Sequence, residues 1–129
     1  MSLMGTATAD PLANFAPATR TWFASAFAAP TAVQAAAWSA IGAGENALVI
    51  APTGSGKTLA AFMQAIDQLF RERTQDPVAD TAPKPSRSAT RILYISPIKA
   101  LGADVQRNLR IPLQGVSAER KRRGDRSSR

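Results

Sequence analysis

Apolar residues recur along most of this chain at spacings of three and four, which is the pattern of helices with one buried face. The pattern predicts four helices, over residues 17–28, 31–41, about 57–71 and from 96 onward. The second has a clear start, because Thr31 is a residue type that caps helices, and a clear stop at Gly42. The aromatic residues of the first two helices also fall at helical spacing, so we expect them in the core: Trp22, Phe23, Phe27 and Trp38.

Two short apolar runs follow a different pattern, which predicts strands. Residues 47–50 and 91–95 are rich in aliphatic, β-branched or aromatic side chains, as buried parallel strands are. Each run is followed by a predicted helix, so the chain is expected to form the start of an α/β fold built from βαβ units. Between them, residues 74–90 are rich in Pro, Ser and Ala and predict a long surface loop. Packing between strands and helices is expected to centre on Val49, Phe62, Ile66, Leu93 and Ile95.

The segment between the first predicted strand and the third predicted helix has the composition of a phosphate-binding loop. It reads Ala51-Pro52-Thr53-Gly54-Ser55-Gly56-Lys57-Thr58, with Ala51 where the general pattern has glycine. The glycines let successive N–H groups converge on phosphate oxygens, and the helix adds the positive end of its dipole. Lys57 can reach the β- and γ-phosphates, and the Thr58 hydroxyl can bind Mg²⁺. The segment predicts a site for a nucleoside triphosphate; the alternative is a glycine-rich turn with a solvated lysine.

The positive charge of the chain is concentrated near its C-terminal end. The net charge is +7, and residues 118–129 carry six positive and two negative charges. This stretch suits nucleic acid electrostatically, but a solvated, disordered tail has the same composition. The lack of histidine excludes histidine bases and ligands within the chain. The lack of cysteine and of a secretory signal predicts a cytoplasmic protein, and no apolar run approaches the roughly 20 residues of a membrane span.

Two further segments narrow the class of phosphate-loop protein. Upstream, the amide of Gln34 could read the edge of adenine. Downstream, residues 96–109 place a helix N-terminus at the same sheet edge as the loop, where its N–H groups suit a nucleic-acid phosphate. Together the three segments resemble the Q motif, motif I and motif Ia of superfamily 2 helicases. The aromatic pattern around Gln34 and the Ser-Pro-Ile-Lys-Ala-Leu string resemble most the large helicase-related group, and the resemblance covers roughly residues 15–115.

The resemblance implies a role for each matching residue. Gln34 would recognise the adenine of ATP, and Phe15 would stack on it. ATP and Mg²⁺ would be held by Thr53, Gly54, Ser55, Gly56, Lys57 and Thr58, with Lys57 as the catalytic residue and Thr58 as the metal ligand. Single-stranded DNA or RNA, or a hybrid duplex with a single-stranded tail, would contact Ser96, Pro97, Lys99, Leu101 and Arg107. The family also suggests 3′-to-5′ movement and a role in DNA repair.

Plainer interpretations stand beside these roles. Gln34 could be a solvated helix residue, and Lys99 an ordinary surface lysine. Arg107 and Arg110 have the pattern of a solvated helix face.

The resemblance also implies parts that this sequence does not contain. A helicase motor uses a carboxylate pair to hold Mg²⁺ and orient the attacking water, and no Asp-Glu pair occurs here. We therefore expect an N-terminal fragment of a longer helicase, inactive alone. Its expected parts are a disordered N-terminus (1–14), a RecA-like phosphate-loop NTPase domain truncated after the second strand and its helix (15–117), and a disordered basic tail (118–129). A non-helicase phosphate-loop NTPase, such as a kinase or transporter ATPase, and a non-catalytic remnant are the alternatives.

Overall fold

The structure is a computed structural model that describes residues 9–74, 90–96 and 99–127. Four helices account for most of them: α1 (Pro17–Ala26), α2 (Ala32–Gly42), α3 (Lys57–Thr74) and α4 (Lys99–Ser127). All four overlap the stretches in which hydrophobic spacing predicted helices. The first is two residues shorter than predicted, because Phe27 is already extended; Phe27 is 42% exposed, so its predicted place in the core is wrong. Within the described part of the chain, no helix combines the length and apolar character needed to cross a membrane.

The start of α2 is a capping box. Thr31 Oγ1 accepts a hydrogen bond from the Gln34 N–H at 3.2 Å, and Gln34 Oε1 accepts one from the Thr31 N–H at 3.0 Å. These two bonds satisfy N–H groups that the helix itself leaves without a carbonyl. The predicted cap at Thr31 is confirmed.

The start of α1 is held by a carboxylate on another helix. Ala16, the N-cap residue, has no side-chain cap of its own. Instead, Asp67 on α3 accepts from the Ala16 N–H at 2.9 Å and from Thr19 Oγ1 at 2.6 Å, while the Arg71 side chain binds the same carboxylate at 2.7 Å. Asp67 is only 1% exposed. A buried charge is tolerated when it is paired and hydrogen-bonded, so this cluster fixes α1 to α3.

Aromatic rings form the centre of the core. The Trp38 ring meets Phe15 and Phe23 edge to face, with centroids 5.1 and 5.5 Å apart. Met63 from α3 and Val116 from α4 are fully buried in the same cluster. The edge-to-face arrangement of the Trp38 ring with Phe15 and Phe23 brings the positive edge of one ring to the negative face of another. The predicted burial of aromatic residues is confirmed at Trp22, Phe23 and Trp38.

Helix α4 continues through the segment for which composition predicted a disordered tail. Its helical residues extend to Ser127. It packs on α1 at Gly115, where an added Cβ would lie 1.9 Å from Trp22 Nε1, so the approach requires glycine. The next residue, Val116, is fully buried. Contact with α1, which composition does not reveal, gives residues 118–127 a packed helix to extend.

The two predicted strands are not found as strands. In the described residues 9–74, 90–96 and 99–127 the structure has helices and irregular segments only, so the expected α/β character is not confirmed. Four aliphatic side chains of the two runs are 78 to 87% exposed: Leu48, Ile50, Leu93 and Ile95. The prediction that Leu93 and Ile95 centre the packing is therefore wrong, whereas Ile66 is buried as predicted. The physical reason is that a strand exists only through hydrogen bonds to a neighbouring strand, and the two runs do not pair with each other.

Each run nevertheless lies against one helix. Residues 47–50 line a shallow groove on α2 beside Val33 and Ala40. In the second run the Tyr94 ring lies 5.5 Å from that of Phe62 on α3. Each run thus contacts one helix but stays largely exposed, since Leu48 is 87% exposed in the first run and Tyr94 is 46% exposed in the second.

Parts of the predicted organisation lie outside the described residues. They are residues 1–8, most of the predicted loop (75–89), Pro97 with Ile98, and the last two residues of the predicted tail (128–129). From residue 9 the predicted disordered N-terminus is described, and there a turn closes through a hydrogen bond from the Ala13 N–H to the Asp10 carbonyl at 3.0 Å. Leu12 in this turn packs against the core.

Candidate nucleotide-binding site

The predicted phosphate loop is a tight turn that leads directly into α3. The Ser55 N–H and Ser55 Oγ both donate to the Pro52 carbonyl, at 3.3 and 2.5 Å. Gly54 and Gly56 have φ of +84° and +80°, a left-handed conformation that glycine adopts without strain. Because α3 begins at Lys57, the N–H groups of its first turn have no carbonyl partner within the helix. Curled backbone and free N–H groups at a helix start form an anion-binding concavity.

Lys57 closes this loop across its mouth. Its Nζ donates to the Ala51 carbonyl at 2.5 Å, and the side chain is exposed. This solvent-facing ammonium is positioned to bind a phosphate that enters the loop. A charged phosphate is a stronger partner for it than the neutral carbonyl. Thr58 follows at the first turn of α3 and is half-buried, while Thr53 is exposed at the loop tip.

Helix α2 holds the loop from the other side through Gln34. Gln34 Nε2 donates to the Gly56 carbonyl at 3.2 Å, while its Oε1 belongs to the capping box of α2. The residue is only 4% exposed, so its interpretation as a solvated helix residue is wrong. A Cβ on Gly56 would lie 2.4 Å from Gln34 Nε2, so this glycine is required by its neighbour as well as by its φ. The structure gives Gln34 a role in shaping the loop; its role in reading adenine stays a prediction.

Two further side chains, one on the N-cap of α2 and one within that helix, bind backbone carbonyls of the loop and of α3. Thr31 Oγ1 donates to the Ser55 carbonyl at 3.1 Å, and Trp38 Nε1 donates to the Leu59 carbonyl at 3.0 Å. With Gln34 they form three successive links, which we call the loop anchor: Thr31, Gln34 and Trp38. Sequence reasoning found Thr31 only as a helix cap and Trp38 only as a core residue. The Thr-x-x-Gln spacing of a capping box was the available signal that Thr31 and Gln34 act together.

Phe15 does not lie where the resemblance placed it. The residue is 4% exposed, and its ring is packed edge-on against Trp38 in the core. Stacking on adenine would require this ring to leave the core. The structure therefore gives Phe15 a packing role and corrects the expected one.

The predicted nucleic-acid residues are only partly described. Ser96 is half-buried, Pro97 lies outside the described residues, and the backbone of Lys99 and Leu101 is in the first turn of α4. The Arg107 side chain is 80% exposed and lies 3.9 Å from Asp104, which fits a solvated helix face as well as a surface that meets a ligand. Within the described residues, no group of three or more acidic, histidine or cysteine side chains could hold a metal ion.

A glycine-rich turn with left-handed glycines, an exposed lysine and a following helix defines the phosphate-loop class of nucleotide-binding protein. The family model described as DEAD/DEAH box helicase matches residues 31–128. The chain belongs to the DEAD/DEAH box helicase family. This membership argues against the kinase or transporter ATPase alternative.

Individual relatives agree with the predicted resemblance to the large helicase-related group. The chain is 61% identical over 111 residues to "Lhr helicase/uracil glycosylase" of Escherichia coli (strain K12), covering 86% of this chain and 7% of that protein. It is 37% identical over 95 residues to "ATP-dependent helicase Lhr-Core" of Methanocaldococcus jannaschii, covering 74% of this chain and 10% of that protein. The matched part of the chain thus spans 7% of the length of the Escherichia coli relative.

A solved structure shows the same similarity in three dimensions. The structure of Mycobacterium smegmatis helicase Lhr bound to ssDNA and AMP-PNP matches this chain with a TM-score of 0.74 and 55% identity. The match covers 90% of this chain and 13% of that one. The likeness supports the predicted RecA-like fold, although the described residues contain no strand.

Proposed function

We propose that this chain is the ATP-binding portion of an ATP-dependent helicase or translocase that moves on single-stranded nucleic acid. The observation that carries the proposal is the phosphate loop, with Lys57 across its mouth and the loop anchor behind it. Support comes from the family and from a relative whose structure holds ssDNA and AMP-PNP. RNA, or a hybrid duplex with a single-stranded tail, carries the same phosphate charges and belongs to the same proposal.

The chain's own groups divide the work at the triphosphate. The first-turn N–H groups of α3 bind phosphate oxygens, and the Lys57 ammonium, moved from the Ala51 carbonyl, neutralises the β- and γ-phosphates. The Thr58 hydroxyl would be a ligand to Mg²⁺. Its position in the first turn of α3, beside the phosphate loop, fits that role. Mg²⁺ itself, when bound, neutralises charge on the phosphate oxygens.

The test uses the full-length gene product that contains this chain. ATP hydrolysis is measured with and without a single-stranded oligonucleotide, for the unaltered protein, for Lys57→Ala and for Gln68→Ala. Gln68 is exposed on the same helix, and among the described residues its side chain bonds Glu72 alone, so it is the matched control. We expect stimulation by the oligonucleotide, loss of turnover in Lys57→Ala and normal turnover in Gln68→Ala. Turnover retained in Lys57→Ala would overturn the site.

Selectivity for adenine is the finer part of the proposal. If Gln34 reads the base, GTP should compete poorly with ATP, because the wrong base leaves polar groups unpaired. Gln34 still has one amide hydrogen beyond its bond to the Gly56 carbonyl. Competition by GTP as effective as by ATP would limit Gln34 to the loop anchor.

We also propose that residues 1–129 alone do not hydrolyse ATP. The sequence has no Asp-Glu pair, and no acidic cluster able to hold a metal occurs in the described part of the chain. Orientation of the attacking water depends on such groups. Measurable turnover by the purified 129-residue chain would refute this.

A further inference from the structure

A cleft with cationic side chains lies at the far end of the molecule from the phosphate loop. It is formed by the first turn of α1, the last turns of α3 and the C-terminal part of α4, with a volume of about 710 Å³. Its apolar floor includes Pro17 and Phe70, and its rim carries Arg120, Lys121 and Arg123. We call it the basic cleft. Lys57 and Phe70 are 13 residues apart on α3, so the cleft lies about 20 Å from the loop along that helix.

The three rim cations have no carboxylate partner among the described residues. Arg120 lies over the Phe70 ring, 5.0 Å from its centroid, and Arg123 donates to the neutral hydroxyl of Thr21 at 2.6 Å. Lys121 is exposed. Two carboxylates near the cleft whose side chains the structure describes are already used elsewhere: Glu119 pairs with Arg122, and Asp67 is buried against Arg71. Uncompensated positive charge around a concave space concentrates anions there.

The shape and surface of the cleft favour one kind of anion. A volume of about 710 Å³ suits a small ligand or an unpaired nucleotide, whereas the convex surface of a duplex cannot enter it. The Arg120 guanidinium, which lies over the Phe70 ring, presents a flat surface of the kind on which nucleobases stack. Lys121 and Arg123 supply the charges that a sugar–phosphate backbone needs.

We propose that the basic cleft is a second contact for single-stranded nucleic acid, separate from the predicted contacts at residues 96–107. It rests on the proposed function, because it assumes that such a strand is bound elsewhere on the protein. Lys99 and Lys121 are 22 helical residues apart, so the two contacts are about 33 Å apart along α4. The cleft would hold one unpaired nucleotide, with its base on the apolar floor and its phosphates at the rim.

The test measures binding of a fluorescent oligothymidylate to the full-length gene product over a range of salt concentrations. The cleft variant is Lys121→Gln with Arg123→Gln. The matched control is Arg122→Gln with Arg91→Gln, which removes the same charge from two cations that already pair with Glu119 and Glu72. We expect the cleft variant to bind roughly tenfold more weakly at low salt and to lower the slope of log K against log salt by about 1.4. The control should change both values much less.

Three outcomes separate the possible errors. If oligothymidylate binds and stimulates ATP hydrolysis, but the cleft variant and the control variant have the same affinity and salt slope, the basic cleft is not a contact. The proposed function then stands. If the unaltered protein does not bind oligothymidylate at all, the proposed function fails first. If polyglutamate of equal charge competes as well as oligothymidylate for the cleft, the cleft binds acidic chains in general and the assignment to nucleic acid is overturned. Unchanged far-ultraviolet circular dichroism of each variant shows that it is folded.

Discussion

Two helix contacts in this molecule are made by different physical means. The α2–α3 contact is made by side chains that donate to backbone carbonyls, namely the loop anchor of Thr31, Gln34 and Trp38. The α1–α4 contact is made mainly by steric fit, with the Trp22 ring against Gly115, and has one side-chain hydrogen bond, from Arg123 to Thr21. A hydrogen bond fixes the distance and direction of two atoms, whereas apolar packing responds to volume. We therefore expect the first contact to determine the shape of the phosphate loop and the second to determine how tightly α1 and α4 pack.

The two contacts should therefore respond differently to substitution. Changes at the α1–α4 contact should lower the free energy of unfolding and leave nucleotide affinity of the folded protein unaltered. Changes at the α2–α3 contact should lower both, because the loop carbonyls lose the donors that hold them. Measuring both quantities for every variant tests the comparison directly.

Gly115→Ala is expected to have the largest effect on stability. The new Cβ would lie 1.9 Å from Trp22 Nε1 and 2.1 Å from Trp22 Cδ1, so helix α1 or the indole must move. Overpacking of this kind costs about 3 kcal/mol of unfolding free energy. Urea denaturation measures the loss, and titration with ATP at low denaturant should give an unchanged affinity.

Gly102→Ala is the matched control in the same helix. No atom that the structure describes lies within 4 Å of a Cβ at that position, so the expected change is in helix propensity, and stability should rise by up to about 1 kcal/mol. Equal changes in unfolding free energy in the two glycine variants would show that the packing of the Trp22 ring does not require a glycine at position 115.

Sequence reasoning located the helices and the phosphate loop because both are determined locally. Thr31 caps α2 by a bond to a residue three positions away, and the left-handed glycines set the backbone of the loop at their own positions. The position of Lys57 at the first residue of α3 also followed from the sequence alone, while its role at a phosphate stays a prediction. These features need no knowledge of distant parts of the chain.

What the sequence did not reveal depends on distant partners. Asp67 binds Ala16 and Thr19, which are 51 and 48 residues away, and no local pattern marks that carboxylate as a helix cap. Burial of Phe15 against Trp38 likewise depends on how the helices meet. The runs 47–50 and 91–95 failed as strands for the same reason, since a strand requires a neighbour that local composition cannot supply.

At the α2–α3 contact, Gln34→Ala is expected to have the largest effect. It removes half of the capping box and the donor to the Gly56 carbonyl, which together are worth about 2 kcal/mol. Affinity for ATP should fall severalfold, measured by calorimetric titration. Gln34→Glu is the sharper variant, because a carboxylate keeps the capping box but cannot donate to Gly56. Normal ATP affinity in Gln34→Glu would mean that the bond to Gly56 does not hold the loop.

Trp38→Phe should have a smaller effect. It keeps an aromatic ring in the core but leaves the Leu59 carbonyl without its donor at 3.0 Å, and it loses part of the indole volume. We expect a loss of about 1.5 kcal/mol in unfolding free energy. ATP affinity should fall less than in Gln34→Ala, since Leu59 lies beyond the loop in the first turn of α3. A larger fall in ATP affinity than in Gln34→Ala would contradict this order within the loop anchor.

The smallest effect is expected at Thr31, where one hydroxyl serves two partners. Thr31 Oγ1 accepts from the Gln34 N–H and donates to the Ser55 carbonyl at 3.1 Å. Thr31→Val keeps the shape of the side chain and removes both bonds, with an expected loss of about 1 kcal/mol of unfolding free energy. Thr31→Ser keeps the hydroxyl and should behave like the unaltered chain in both stability and ATP affinity. Because Ser55 lies inside the loop, Thr31→Val should weaken ATP binding more than its small stability loss suggests. If Thr31→Val changes stability alone, Thr31 is only a helix cap, and the loop is anchored by Gln34 and Trp38.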